Sequence, residues 1–120
     1  MPRSKRKTDH ATNYHIEDLG RPAVFLIPVG KLQRLIGKYT IEEHIESFLT
    51  KHFQAFTVTR SHIRGYWKRQ VDDLVEYEVS FLGKQKISVL FSELARLAHA
   101  MDEECIYIKT GEDTKLIHAA

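Results

Sequence analysis

Phe56-Thr-Val-Thr-Arg-Ser-His-Ile-Arg-Gly-Tyr-Trp-Lys-Arg-Gln-Val-Asp-Asp-Leu-Val-Glu-Tyr-Glu-Val-Ser-Phe-Leu82 decides the fold, because it holds two strand-like runs that fold back on each other. In the second run Val75, Tyr77, Val79 and Phe81 alternate with Glu76, Glu78 and Ser80, as a strand with one buried and one wet face requires. The first run ends in Arg60, His62, Arg64, Gly65, Tyr66, Trp67, Lys68 and Arg69, a cluster of cations and large aromatics beside the turn. Asp72 and Asp73 read as part of the hairpin loop, and Gly83 closes the unit.

Upstream, Ala23-Val-Phe-Leu-Ile27 is an apolar run between Pro22 and Pro28, which suits a central strand. Val29 to Tyr39, with Gly30-Lys31 and Gly37-Lys38, reads as a loop with one helical turn. Thr40 and Glu43 have capping-box spacing. Ile41, Ile45, Phe48, Leu49 and Phe53 recur on one face, so a helix is predicted from about 41 to 53. Downstream, Leu90, Phe91, Leu94, Leu97, Ala98 and Met101 form a second helical stripe, although Lys86 to Phe91 taken alone also suits a returning strand. Cys105 to Lys109 reads as a strand, Thr110 to Asp113 as a turn, and Lys115-Leu-Ile117 as a short strand or tail pairing back.

The order is strand, helix, strand, strand, helix, strand, with an extension. It predicts an α+β chain of ferredoxin-like βαββαβ type, an antiparallel sheet with two helices on one face. Residues 1–20, which hold Arg3, Lys5, Arg6 and Lys7, read as a flexible basic tail, and 21–120 as a single domain. Phe25 or Leu26, with Phe56 and Val58, is expected to leave apolar side chains on both sheet faces, which points to a homo-oligomer.

A chain of 120 residues with 42% hydrophobic content has room for one modest core. A net charge of only +2 is low for a general nucleic-acid binder. The lone Cys105, the lack of an apolar signal region and the lack of a membrane-length apolar run predict a cytoplasmic protein away from membranes.

For chemistry the residues nominate no catalytic set. Asp72-Asp73 and Glu103-Glu104 read as solvated carboxylates. No two of the histidines at 10, 15, 44, 52, 62, 99 and 118 have i, i+4 spacing, so no metal site is nominated. Side chains of Ser61 and His62 should point opposite ways along a strand, which removes them as a nucleophile and base. Gly30 to Gly37-Lys38 departs from a phosphate loop in spacing, and Tyr39 replaces its magnesium-binding hydroxyl. A weaker anion site at Lys31 or Lys38 stays open.

The aromatic and basic hairpin is the candidate working surface, since Tyr66 and Trp67 offer stacking faces and Arg60, Arg64, Lys68 and Arg69 offer positive charge. The expectation is a non-enzymatic homo-oligomer of regulatory type that binds a small anionic ligand or a protein partner through residues 60 to 69, with Lys109 nearby. The alternative is nucleic-acid binding by the basic tail and the same hairpin. Against that alternative, Glu76 and Glu78 would face outward and repel a phosphate backbone. No cofactor is named by these residues.

The pattern resembles the PII-type signalling proteins on Phe56-Thr-Val58, Arg64-Gly65-Tyr66, Glu76-Tyr77-Glu78-Val79 and Ile108-Lys109-Thr110-Gly111-Glu112. It is also similar to small uncharacterised bacterial ferredoxin-like proteins. The first resemblance implies a trimer that binds adenine nucleotides between subunits and signals through a long loop joining the second and third strands. It marks Gly65 and Lys109 as the positions to carry over.

Overall fold

The structure, a computed structural model, describes residues 13–111 and 113–120, without the side chains of Ser61, His62 and Asp113. The basic cluster of the predicted tail therefore lies outside the described residues. In chain order the elements are β1 (Arg21–Pro28), a 3-10 turn (Val29–Lys31), β2 (Leu35–Ile36), β3 (Tyr39–Thr40), α1 (Ile41–His52), β4 (Phe56–Trp67), β5 (Gln70–Phe81), α2 (Lys84–Met101), β6 (Cys105–Thr110) and β7 (Asp113–His118). The main sheet has five strands in the order β4-β5-β1-β6-β7, and every pairing in it is antiparallel.

The α+β class, the antiparallel sheet and the two helices are present. The strands, however, outnumber the predicted four. β7 pairs along the whole of β6, as the expected tail pairing does, and in the stretch expected as a loop with one helical turn the turn is present at Val29–Lys31 while β2 and β3 add a separate two-stranded ribbon. Lys86 to Phe91 lies inside α2, so the strand alternative is corrected, because Leu90, Leu94, Leu97, Ala98 and Met101 bury as one helical stripe.

Thr40 caps α1 through a complete capping box: its hydroxyl accepts from the Glu43 amide at 3.1 Å and its own amide donates to Glu43 Oε1 at 2.9 Å. Ile41, Ile45 and Leu49 then face the sheet. On the sheet the buried row is Ala23, Phe25 and Ile27 of β1, Val75, Tyr77, Val79 and Phe81 of β5, and Ile106 and Ile108 of β6. Phe25 and Tyr77 stack with ring centroids 5.1 Å apart. Phe56 and Val58 pack against this same core as Phe25 does, so among the residues expected to leave apolar side chains on both faces it is Leu26 that stands on the other. The opposite, open face carries Val24, Leu26, Leu74, Tyr107 and Leu116 among polar residues such as Glu76 and Glu78.

Two further corrections concern the hairpin. Its turn is only Lys68 and Arg69, with φ of 46° and 70°, the left-handed pair of a tight two-residue hairpin. Asp72 and Asp73 therefore belong to β5, and the long loop implied by the PII resemblance is not there. The pairing also slips between Thr59 and Ile63, so residues 60–62 bulge opposite Val75 and the regular alternation assumed for Arg60, His62 and Arg64 is broken.

Gly20 leads into β1 with a φ of 95°, and a Cβ there would sit 1.9 Å from the Phe81 carbonyl oxygen. Gly20→Ala is expected to cost at least about 2 kcal/mol in chemical denaturation, since both backbone strain and a main-chain clash oppose it. Gly30→Ala, with nothing within 4 Å of the added methyl, should stay within about 0.5 kcal/mol of the parent. The Tyr77 hydroxyl is buried without a hydrogen-bond partner among the described residues, and burial, reinforced by the nearby Glu42 charge, pushes its phenol pKa upward. Tyr77→Phe removes an orphaned polar atom and should leave the urea midpoint equal or higher.

Candidate functional site

Beyond the bulge, residues 63–67 and 70–74 continue the hairpin as an arm whose tip reaches the segment joining α2 to β6, where Lys68 Nζ lies 3.6 Å from Glu104 Oε1. Between arm, sheet and segment lies a cavity of about 550 Å³ on the open face. Leu26, Pro28, Leu74 and Leu116 supply apolar wall, Trp67 and Tyr107 supply rings, Tyr66 borders it from the next position of β4, and Asp72, Asp102, Glu103 and Glu104 supply carboxylates. Among the described residues no Lys, Arg or His lines it. Gly65 leaves room for the Leu74 side chain packed across the arm, because a Cβ there would lie 2.5 Å from Leu74 Cδ1.

The carboxylates come together through the end of α2. Asp102 caps the helix in the left-handed region at a φ of 60°, with its amide donating to the His99 carbonyl at 3.1 Å, while the Glu103 amide donates to the Ala98 carbonyl at 2.9 Å. Three acidic residues at the negative end of a helix are electrostatically unfavourable. Lys31 offsets part of this: its ammonium donates to the Met101 carbonyl at 2.7 Å and pairs with Glu103 at 3.3 Å. That engagement takes Lys31 out of the weak anion site considered from the sequence. Asp72 and Asp102 have no ion-pair partner among the described residues.

The predicted site residues are dispersed. Gly65, Tyr66 and Trp67 line the cavity, and Lys68 stands at its rim, 5.3 Å above the Trp67 ring. Arg60 turns to α1, where it pairs with Glu42 and lies 3.8 Å from Glu46. Those carboxylates raise its pKa further and hold its charge on α1, away from the cavity. Arg64 faces Asp73 across the arm and lines a second, open depression together with Arg60, Ile63 and Tyr66. Arg69 is exposed at the turn. The His62 side chain lies outside the described residues. Lys109 lines neither cavity; it sits four residues along β6 from Cys105, about 13 Å by strand rise.

Sequence reasoning set aside the residues that give the cavity its character, Asp72, Glu103 and Glu104, as solvated carboxylates. Their convergence is made by tertiary structure. They do not form a metal cage, since no group of three or more described His, Cys, Asp or Glu residues is placed to hold an ion. The arrangement offers an apolar floor, aromatic faces and a concentrated negative potential, which together suit an organic cation with a planar ring.

No family model matches the chain, and no curated protein does. Two solved structures resemble it. A phage SAM lyase in complex with S-methyl-5'-thioadenosine superposes with a TM-score of 0.55 at 15% identity, over 91% of this chain and 97% of that one. A phage SAM lyase in its apo state superposes with a TM-score of 0.51 at 18% identity, over 83% and 90%. At these identities the likeness is one of fold.

Cys105 lines the same cavity, and partial burial together with the Glu104 charge pushes its thiol pKa up against a smaller opposing pull from Lys68. Its alkylation by iodoacetamide should be slow at neutral pH, with a rate midpoint above the roughly 8.5 of a free cysteine. A midpoint at or below that value would contradict the placement of Cys105 beside Glu104.

Proposed function

We propose that the open-face cavity binds a cationic ligand of the adenosyl-sulfonium class and that the protein cleaves a carbon–sulfur bond of that ligand, as a lyase. The observation that carries the reading is the wall itself: four carboxylates, of which Glu103 and Glu104 are shared with Lys31 and Lys68, and the rings of Trp67 and Tyr107 around an apolar floor, with no Lys, Arg or His among the described lining residues. A volume of about 550 Å³ falls within the roughly 300–1,000 Å³ of small-molecule sites. The fold-level likeness to phage SAM lyase, one copy of which holds a nucleoside thioether, agrees with it. We also read the sheet as a ferredoxin-like sandwich extended by β7 at one edge, since β5 lies between β4 and β1 and β6 lies on the other side of β1.

In this reading the hairpin keeps the role expected of its aromatics, and the charge of the ligand is reversed. An anion would meet Asp72, Asp102, Glu103 and Glu104, whereas a sulfonium and an ammonium would be drawn to them. The reaction asks little acid chemistry of the protein, because a sulfonium departs as a neutral thioether without being protonated. Trp67 and Tyr107 provide stacking faces for adenine, and the carboxylates balance the cationic centre. Asp72, which has no ion-pair partner among the described residues, is the base nominated to take a proton from the carbon adjacent to the one that bears sulfur; that C–H electron pair becomes the new carbon–carbon double bond as the C–S pair leaves on the thioether.

Incubation with about 1 mM S-adenosylmethionine, followed by mass spectrometry, should release S-methyl-5'-thioadenosine above the protein-free control. Asp72→Asn should lower the rate at least about tenfold, and Trp67→Ala should weaken binding of the thioether. Background-level release together with no calorimetric binding of the thioether would reject the reading.

A further inference from the structure

At the rim of the cavity one cation is already seated. The Lys68 ammonium lies 5.3 Å from the Trp67 ring centroid and 3.6 Å from Glu104 Oε1. An aromatic face and a carboxylate sharing one positive charge is the arrangement by which proteins recognise alkylammonium groups. We propose that Trp67 and Glu104 form a cation subsite of the cavity and that Lys68 is a tethered competitor for it, which a bound cation must displace. This rests on the cationic-ligand reading above and adds a regulatory residue to it.

The geometry gives the competitor the right strength to be displaced. The side chains of Lys68 and Glu104 are 65% and 61% exposed, so solvent screens their attraction, and the cation–π contact is likewise at the surface. Contacts of this kind amount to a roughly threefold to tenfold bias, enough to discriminate against weakly bound cations without closing the site. Glu103 is already shared with Lys31 at 3.3 Å, so the subsite is assigned to Glu104, which shares its charge with the displaceable Lys68. The turn also carries backbone strain at this point, Lys68 and Arg69 both being non-glycine residues at positive φ.

Trp67 is the only tryptophan in the chain, so its fluorescence reports directly on the subsite. Trimethylsulfonium and tetramethylammonium chloride, titrated at constant chloride, should perturb that emission in the full-length protein. Lys68→Met should tighten the apparent affinity about threefold to tenfold, and Glu104→Gln should weaken it at least about threefold, both with unchanged circular dichroism. An affinity in Lys68→Met that is equal to or weaker than that of the parent would overturn the proposal, as would an unchanged affinity in Glu104→Gln. If the small cations behave as expected while S-adenosylmethionine is neither bound nor cleaved, the subsite stands and the lyase reading falls. If S-adenosylmethionine is cleaved while Lys68→Met leaves the small-cation titration unchanged, the reverse holds.

Discussion

The row Tyr77, Phe25 and Ile108, laid across the three inner strands, is the constraint from which the rest of the molecule follows. All three are at most 1% exposed, and the first two stack. Side chains alternate along a strand, so a slip of one residue would bring the next row, Glu76, Leu26 and Tyr107, under the helices. Burying Phe25 contributes about 2–3 kcal/mol, whereas burying an unpaired Glu76 carboxylate would cost more than that. The register is thereby fixed, and with it the face on which Leu26, Leu74 and Tyr107 must stand. The cavity floor is a by-product of core packing.

What turns that floor into a site is the placement of negative charge. α2 ends on Met101 because its stripe of buried residues ends there, and the left-handed Asp102 directs the chain into β6 through Glu103 and Glu104. The arm brings Asp72 to the same space from the other side. Lys31 attends to the helix carbonyl and one carboxylate, and Arg60 is held on α1 by Glu42 and Glu46. Of the cations that sequence reading assigned to a ligand, Arg60 is held on the fold and Lys68 sits at the cavity rim, while Arg64, Arg69 and Lys109 lie outside the lining, and the cavity wall is left acidic. In a concave site with apolar walls such a charge distribution focuses the field on an incoming cation.

Local periodicity made much of this legible. The alternation of Val75 to Phe81, the capping box at Thr40 and Glu43, the stripe from Leu90 to Met101 and the pairing of Lys115 to Ile117 onto β6 all rest on neighbours within a few residues, and each lies where its pattern places it. The bulge at 60–62 was hidden, because nothing in Arg60-Ser-His62 announces that the partner strand advances by fewer residues. Consecutive acidic residues such as Glu103-Glu104 look like solvent in any window that omits the arm. Lys109, joined to the hairpin only through resemblance, lies well along β6 from Cys105 and outside the cavity. In each case the missing information was a long-range contact.

The hairpin turn carries the sharpest conflict between local and global demands. Two-residue turns of this hand favour Asn-Gly, whose backbone reaches positive φ with little strain, and this chain spends Lys68 and Arg69 there instead. Left-handed non-glycine residues each cost on the order of 1 kcal/mol and persist where something else is gained. A hairpin serving only as scaffold gains nothing from them, since glycine would relieve the turn and expose no hydrophobe. What Lys68 supplies is an ammonium on the Trp67 ring and the Glu104 carboxylate, and an Asn-Gly turn would leave that pair uncovered. The strain at the tip is therefore better explained by the cavity it borders than by the sheet it belongs to.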